Sequence, residues 1–144
     1  MKITVFGAGS VGGHIAARLV MAGQDVNVLA RGPHLAAMQR DGLTLNVLDQ
    51  THVCPVTATN AGATLGAQDL VIVAVKGNTL PAAVAGIRPL VGDATHVLFV
   101  MNGLPAWFLR GSPLDTPGLQ ALLDPDGTIA TLVPAERTLW GVIN

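Results

Sequence analysis

A strand-length apolar run, ITVF, leads directly into GAGSVGG, and this junction restricts the chain more than any other stretch. Glycine weakens both helices and strands. A cluster of glycines between two regular elements therefore marks backbone that must pass where side chains cannot. Gly7, Gly9 and Gly12 fit the spacing G-x-G-x-x-G. They follow a strand, open a helix and sit in a βαβ unit of about thirty residues, the context that gives the motif its meaning. Gly7 permits the tight turn, Gly9 leaves room for a pyrophosphate to approach the backbone, and Gly12 lets the helix lie close to the strands. The N–H groups and dipole at the helix start favour an anion there. Gly7, Ala8, Gly9, Ser10, Val11 and Gly12 are thus the candidate phosphate-binding turn. Gly13 and His14 add less, and His14 reads as a packing or surface residue.

The alternation continues. After a strand over 2–6, a helix is predicted from Ser10 to Met21, with Val11, Ile15, Leu19 and Val20 on one face and Arg18 off it. Ala22-Gly23 ends it, and a second strand runs from Asp25 to Ala30. PHLAAMQRDG has Pro33 near a helix start and Gly42 just past its end. LTLNV and THVCPV, joined by LDQ, predict a β-hairpin where a simple repeat would place another helix. QDLVIVAVK is a buried strand, TLPAAVAGI a short helix with Pro81 in its first turn, THVLFVMNG a strand and turn, and LPAWFLR another helix start. Beyond Gly111, GSPLDTPG is loop-like, GLQALLDPDG gives helix then turn, and RTLWGVI gives a last strand. The fold class is α/β, a Rossmann-like doubly wound arrangement with a mainly parallel sheet.

Composition narrows the setting. Half of the 144 residues are hydrophobic and 12% are charged, against about 25% charged in an ordinary soluble domain. Mean hydropathy is +0.52. Yet LVIVAV and VLFVM are strand-length, well short of the roughly 18 apolar residues of a membrane helix. No membrane span is expected. The apolar excess fits a sheet covered on both faces, or a surface that packs on further protein. A net charge of −1 leaves no electrostatic footprint for nucleic acid. No metal site is predicted. Cys54 is the sole cysteine, so no internal disulfide forms. With the first strand starting at Lys2 there is no room for a signal or transit peptide, and a cytoplasmic location is expected.

The residue closing the second strand selects the nucleotide. An acid about 20 residues past the glycines would take the ribose 2′-OH of NAD. The chain has Arg31 at that place, while Asp25 and Asp41 lie too early and too late. A guanidinium there suits a 2′-phosphate, which favours NADP(H) over NAD(H), an ordinary solvated arginine being the plain alternative; the missing acid also lowers the readings of FAD and S-adenosylmethionine. Ligands of doubly wound sheets lie beyond the carboxyl ends of the strands. Lys76 and Asn102 fall at two such ends. Each also has a plain alternative, a solvated lysine and an Asn-Gly turn.

With these residues in hand, the chain resembles the amino-terminal half of the ketopantoate reductase (2-dehydropantoate 2-reductase) family. ITVFGAGSVGG, VLARG, VAVKGN and VMNGLP carry the resemblance in order and spacing, and it covers essentially the whole chain. The resemblance implies an NADPH-dependent oxidoreductase that reduces ketopantoate, a small 2-oxoacid, to pantoate in pantothenate and coenzyme A biosynthesis. It implies that Gly7, Gly9 and Gly12 hold the pyrophosphate and Arg31 the 2′-phosphate. Lys76 would lie at the cofactor site, and Asn102 near the nicotinamide ribose and substrate. It also implies a second, mainly helical domain bearing a general-acid lysine and most substrate contacts. Lys2 and Lys76 are the only lysines here, and neither matches that acid. The catalytic residue is therefore unassigned. Residues 1–144 are expected to be the NADP(H)-binding domain, a truncated piece that is inactive alone, and the surface the second domain would cover is a candidate contact for a homo-oligomer. Two other readings stay open. One is a regulatory domain that senses NAD(H), as in potassium-transport subunits, against which Arg31, Lys76 and Asn102 argue. The other is the cofactor domain of a different two-domain dehydrogenase, acting on another 2-oxoacid or on a substrate such as 6-phosphogluconate or glycerol 3-phosphate.

Overall fold

The computed structural model describes residues 1–103, 109 and 111–143. In chain order the elements are β1 (Ile3–Phe6), α1 (Ser10–Met21), β2 (Val26–Leu29), α2 (Gly32–Asp41), β3 (Leu43–Val47), β4 (Gln50–Cys54), β5 (Thr57–Thr59), β6 (Leu70–Val73), α3 (Leu80–Ile87), β7 (His96–Val100), α4 (Pro117–Leu123) and β8 (Thr138–Gly141).

Six strands form one sheet in the order β5-β2-β1-β6-β7-β8, and every pairing in it is parallel. Counted along the sheet's own strands this is 3-2-1-4-5-6, the doubly wound order. β1 lies at its centre, with Ile3 opposite both Val26 and Leu70. Alternate residues of each strand feed opposite faces. On one face Ile3, Val5, Val28 and Ile72 pack with Ala16 and Ala17 of α1. On the other, Val71, Val73, Val97 and Phe99 pack with Val84 and Ile87 of α3. Two covered faces account for the near-continuous apolar strands.

Three details differ from the sequence reading. First, α1 has the expected bounds, but its most deeply buried residues are Gly12, Gly13, Ala16 and Ala17. Ile15, Leu19 and Val20 flank them, and Val11 is half-buried. Small side chains let the helix axis come close to the sheet, which pushes the larger apolar residues to the borders of the contact. Second, β3 and β4 do form the expected antiparallel hairpin, Leu43 opposite Cys54, but as a separate two-stranded sheet. The large sheet is wholly parallel and the hairpin is the antiparallel exception, in keeping with the mainly parallel arrangement expected. Third, β5 was not expected. It is three residues long and pairs with β2. The predicted helix start LPAWFLR lies outside the described residues except for Leu109, which is buried.

Candidate functional site

The parallel order reverses between β1 and β6, and the β1–α1 turn stands at that switch point, where doubly wound sheets bind ligands. Gly7 has φ +96°, in the region that side chains rarely adopt. A β-carbon on it would lie 2.8 Å from Val75 Cγ1 and 2.9 Å from the Ala74 carbonyl oxygen. One on Gly12 would collide with the Gly7 carbonyl oxygen and come within 3.0 Å of Ala74 Cβ. Gly9 differs from both: nothing lies within 4 Å of the place a β-carbon would take. Two of the glycines are required by packing, and the third faces open space. Ala8 is buried, Ser10 exposed and Val11 half-buried. No side chain caps the start of α1 and its first turn holds no acid, an arrangement that suits an anion.

The open space is part of a cleft of about 590 Å³, a size ordinary for small-molecule sites. Gly7, Ala8 and Gly9 form one side of it. Arg31, just after β2, forms another. Phe6, Ala83 and Gly86 give it an apolar floor. Arg31 is exposed, extended (φ −138°, ψ 161°), and stands immediately before α2. No Asp or Glu lines the cleft among the described residues. The nearest acid along α2 is Asp41, at the helix's far end. Hydrogen bonds from Arg40 hold its carboxyl below the ordinary carboxylate range, and Asp41 raises the Arg40 guanidinium in turn.

Of the other expected site residues, Ser10, Val11, Gly12, Lys76 and Asn102 do not line the cleft. Lys76 is exposed in the turn after β6, between Val75 and Asn78, which do line the cleft. Its carbonyl accepts from the Thr79 N–H at 2.9 Å and the Thr79 hydroxyl at 2.8 Å, which closes the turn over Gly77–Thr79. Asn102 lies beyond β7, and its side-chain oxygen accepts from the Ile143 N–H at 2.9 Å. That bond ties the chain after β7 to the chain after β8. His14 is exposed.

Sequence reasoning missed His34, Asn60, Asn78 and Thr79, all of which line the cleft. Asn60 directly follows β5, so the rule of carboxyl ends would have pointed to it had that strand been recognised. Asn78 and Thr79 follow Lys76 in the turn already singled out. No helix among the described residues is long and apolar enough to cross a membrane.

Comparison with known proteins agrees with this architecture. The family model described as ketopantoate reductase PanE/ApbA matches residues 3–106. The 2-dehydropantoate 2-reductase of Mesorhizobium japonicum is 42% identical over 146 residues, covering 99% of this chain and 44% of that protein. The one from Pyrococcus horikoshii is 31% identical over 105 residues, 72% of this chain and 34% of its own length. A crystal structure from Ralstonia solanacearum, assigned as a ketopantoate reductase, has TM-score 0.90 and 49% identity over 99% of this chain and 44% of its own. D-mandelate dehydrogenase, solved with NADH and anilino(oxo)acetate, shares the fold at TM-score 0.77 and 21% identity, over 99% of this chain and 40% of its own. The chain therefore spans under half the length of the relatives it matches.

Proposed function

The chain belongs to the ketopantoate reductase PanE/ApbA family, and on that premise we propose that residues 1–144 are the NADP(H)-binding domain of a reductase that converts ketopantoate to pantoate. The observation that carries this reading is Arg31. It follows β2 by one intervening residue, where an NAD-binding chain would have an acid, it lines the same cleft as the glycine turn, and no described carboxylate shares that cleft. The open space at Gly9 supports a pyrophosphate against the backbone from Gly7 to Gly12. The bound nucleotide would supply hydride to the ketone carbon. Lys76 and Asn102 follow β6 and β7, on the side toward the nicotinamide half and the 2-oxoacid. With its oxygen engaged by Ile143, Asn102 would donate to ribose or substrate through its amide nitrogen.

The same reading gives the edge of the sheet a partner. Leu139 on β8 is 48% exposed and Val142 just beyond it 60%, and a second domain of the reductase would cover them.

Titration of the chain with NADPH and NADH tests the cofactor. NADPH is expected to bind more tightly. Arg31→Ala is expected to cost NADPH about 1.5–3 kcal/mol, the range of a charge-assisted contact, and to leave NADH unchanged. Equal affinities for the two nucleotides in the unmutated chain would remove the assignment.

A further inference from the structure

We propose that His34 is a second specificity residue of this cleft: it meets the phosphate-bearing ribose beside Arg31 and makes the preference for the phosphorylated nucleotide pH-dependent. The inference rests on the cleft holding NADP(H).

His34 and Arg31 both line the cleft, with only Gly32 and Pro33 between them. Two nitrogen-bearing side chains therefore share one wall. Both residues are exposed, so neither is taken up by packing in the core. A neutral imidazole offers one donor and one acceptor, whereas the imidazolium offers two donors and a charge. Imidazole is the side chain whose ordinary charge change falls between about pH 5 and 8.

Among the described residues, no hydrogen bond or ion pair engages the His34 side chain. α2 packs on β3 and β5, and LTLNV and TAT contain no titratable side chain. The Arg40–Asp41 pair is at the other end of α2. Arg31 is the other cationic side chain that lines the cleft among the described residues. With no described carboxylate lining the cleft, an anion entering beside Arg31 becomes the counterion of His34 as well. NADH offers no phosphate at that ribose, so the effect should belong to NADPH alone.

The 2′-phosphate itself gains negative charge as pH rises through about 6, which strengthens its contact with Arg31 in the opposite sense. The diagnostic quantity is thus the difference between the unmutated chain and His34→Gln, which keeps a donor but cannot become charged. NADPH and NADH affinities would be measured by calorimetry at about pH 5.5 and about pH 8 for these two proteins and for Arg31→Ala. His34→Gln is expected to lower the NADPH-over-NADH preference about three- to fivefold at the lower pH, the upper range for an exposed ion pair, and to converge with the unmutated chain at the higher pH. An equal change at both pH values, or none at either, overturns the role of His34. If Arg31→Ala weakens NADPH while His34→Gln has no pH-dependent effect, the cofactor reading stands and this inference alone falls. If NADPH does not bind at either pH, both fall.

Discussion

The carbonyl oxygen of Gly7 stands where a β-carbon on Gly12 would have to go. The first turn of α1 is thereby seated on the end of β1, and Ala74, just past β6, closes the gap from the other side. Gly12→Ala must push backbone apart, because neither obstacle is the far end of a flexible side chain. The expected cost is about 1–3 kcal/mol, the usual range for overpacking. A lower Tm and an earlier denaturant midpoint would register it, and an unchanged midpoint would mean that α1 moves away freely.

Gly9 should behave in the opposite way. Its φ of −68° and ψ of −167° suit any residue, and nothing lies within 4 Å of a β-carbon there. Gly9→Val is expected to leave stability within about 1 kcal/mol, the scale of a poorer N-cap, while abolishing nucleotide binding by filling the space for the pyrophosphate. Thermal melts and NADPH titration of the same preparation separate the two properties. Normal NADPH binding by this variant would place the phosphates elsewhere.

The contrast between those two glycines shows what could be read without coordinates. Spacing along the chain placed Gly7, Gly9, Gly12 and Arg31, because a βαβ unit fixes where its turn and its second strand end. It also gave the bounds of α1, which opens at the glycine turn and stops before Ala22-Gly23. β5 was illegible for a physical reason. Thr57–Thr59 is three residues long with Ala58 as its one hydrophobic residue, too short for a period to stand out, and its extended form comes from pairing with Asn27, Val28 and Leu29. Once that strand is unseen, Asn60 cannot be placed. His34 was missed because lining a cleft is a property of packed elements and has no local pattern. The Asn102–Ile143 bond joins residues 41 apart in sequence, and nothing before β8 is set beside β7 announces it.

Gln68 gives a prediction about stability that is independent of the nucleotide. Its Oε1 accepts from the fully buried Thr4 hydroxyl at 2.9 Å and from Asn27 Nδ2 at 3.3 Å. Its Nε2 donates to the Leu65 and Gly66 carbonyls, each at 3.1 Å. Gln68→Leu strands the Thr4 hydroxyl in the core and is expected to cost about 1–3 kcal/mol. Thr4→Val removes a single donor and leaves Oε1 with Asn27, so it should cost less, about 0.5–1.5 kcal/mol. Denaturant unfolding ranks the two, and the reverse order would show that Gln68 does not hold this cluster together. Neither residue lines the cleft, so NADPH affinity should be unchanged in both.

The chain is expected to bind NADPH without turning over ketopantoate at a useful rate. Hydride addition places negative charge on the ketone oxygen, and an acid must protonate it. Lys2 precedes β1, at the end of the strand away from the glycine turn, and its N–H donates to Asp69. Lys76 is exposed and does not line the cleft. The substrate would also lack the second wall that holds it in a reactive geometry. Loss of an acid–base catalyst alone costs about 10²–10⁴-fold, and loss of orientation adds to it. NADPH oxidation with ketopantoate would be followed by absorbance for this chain and for a longer protein in which a helical second domain is joined to it. The longer protein should be faster by at least about 10²-fold. Equal rates would assign the acid to this domain, and Lys76→Met would then have to abolish the activity.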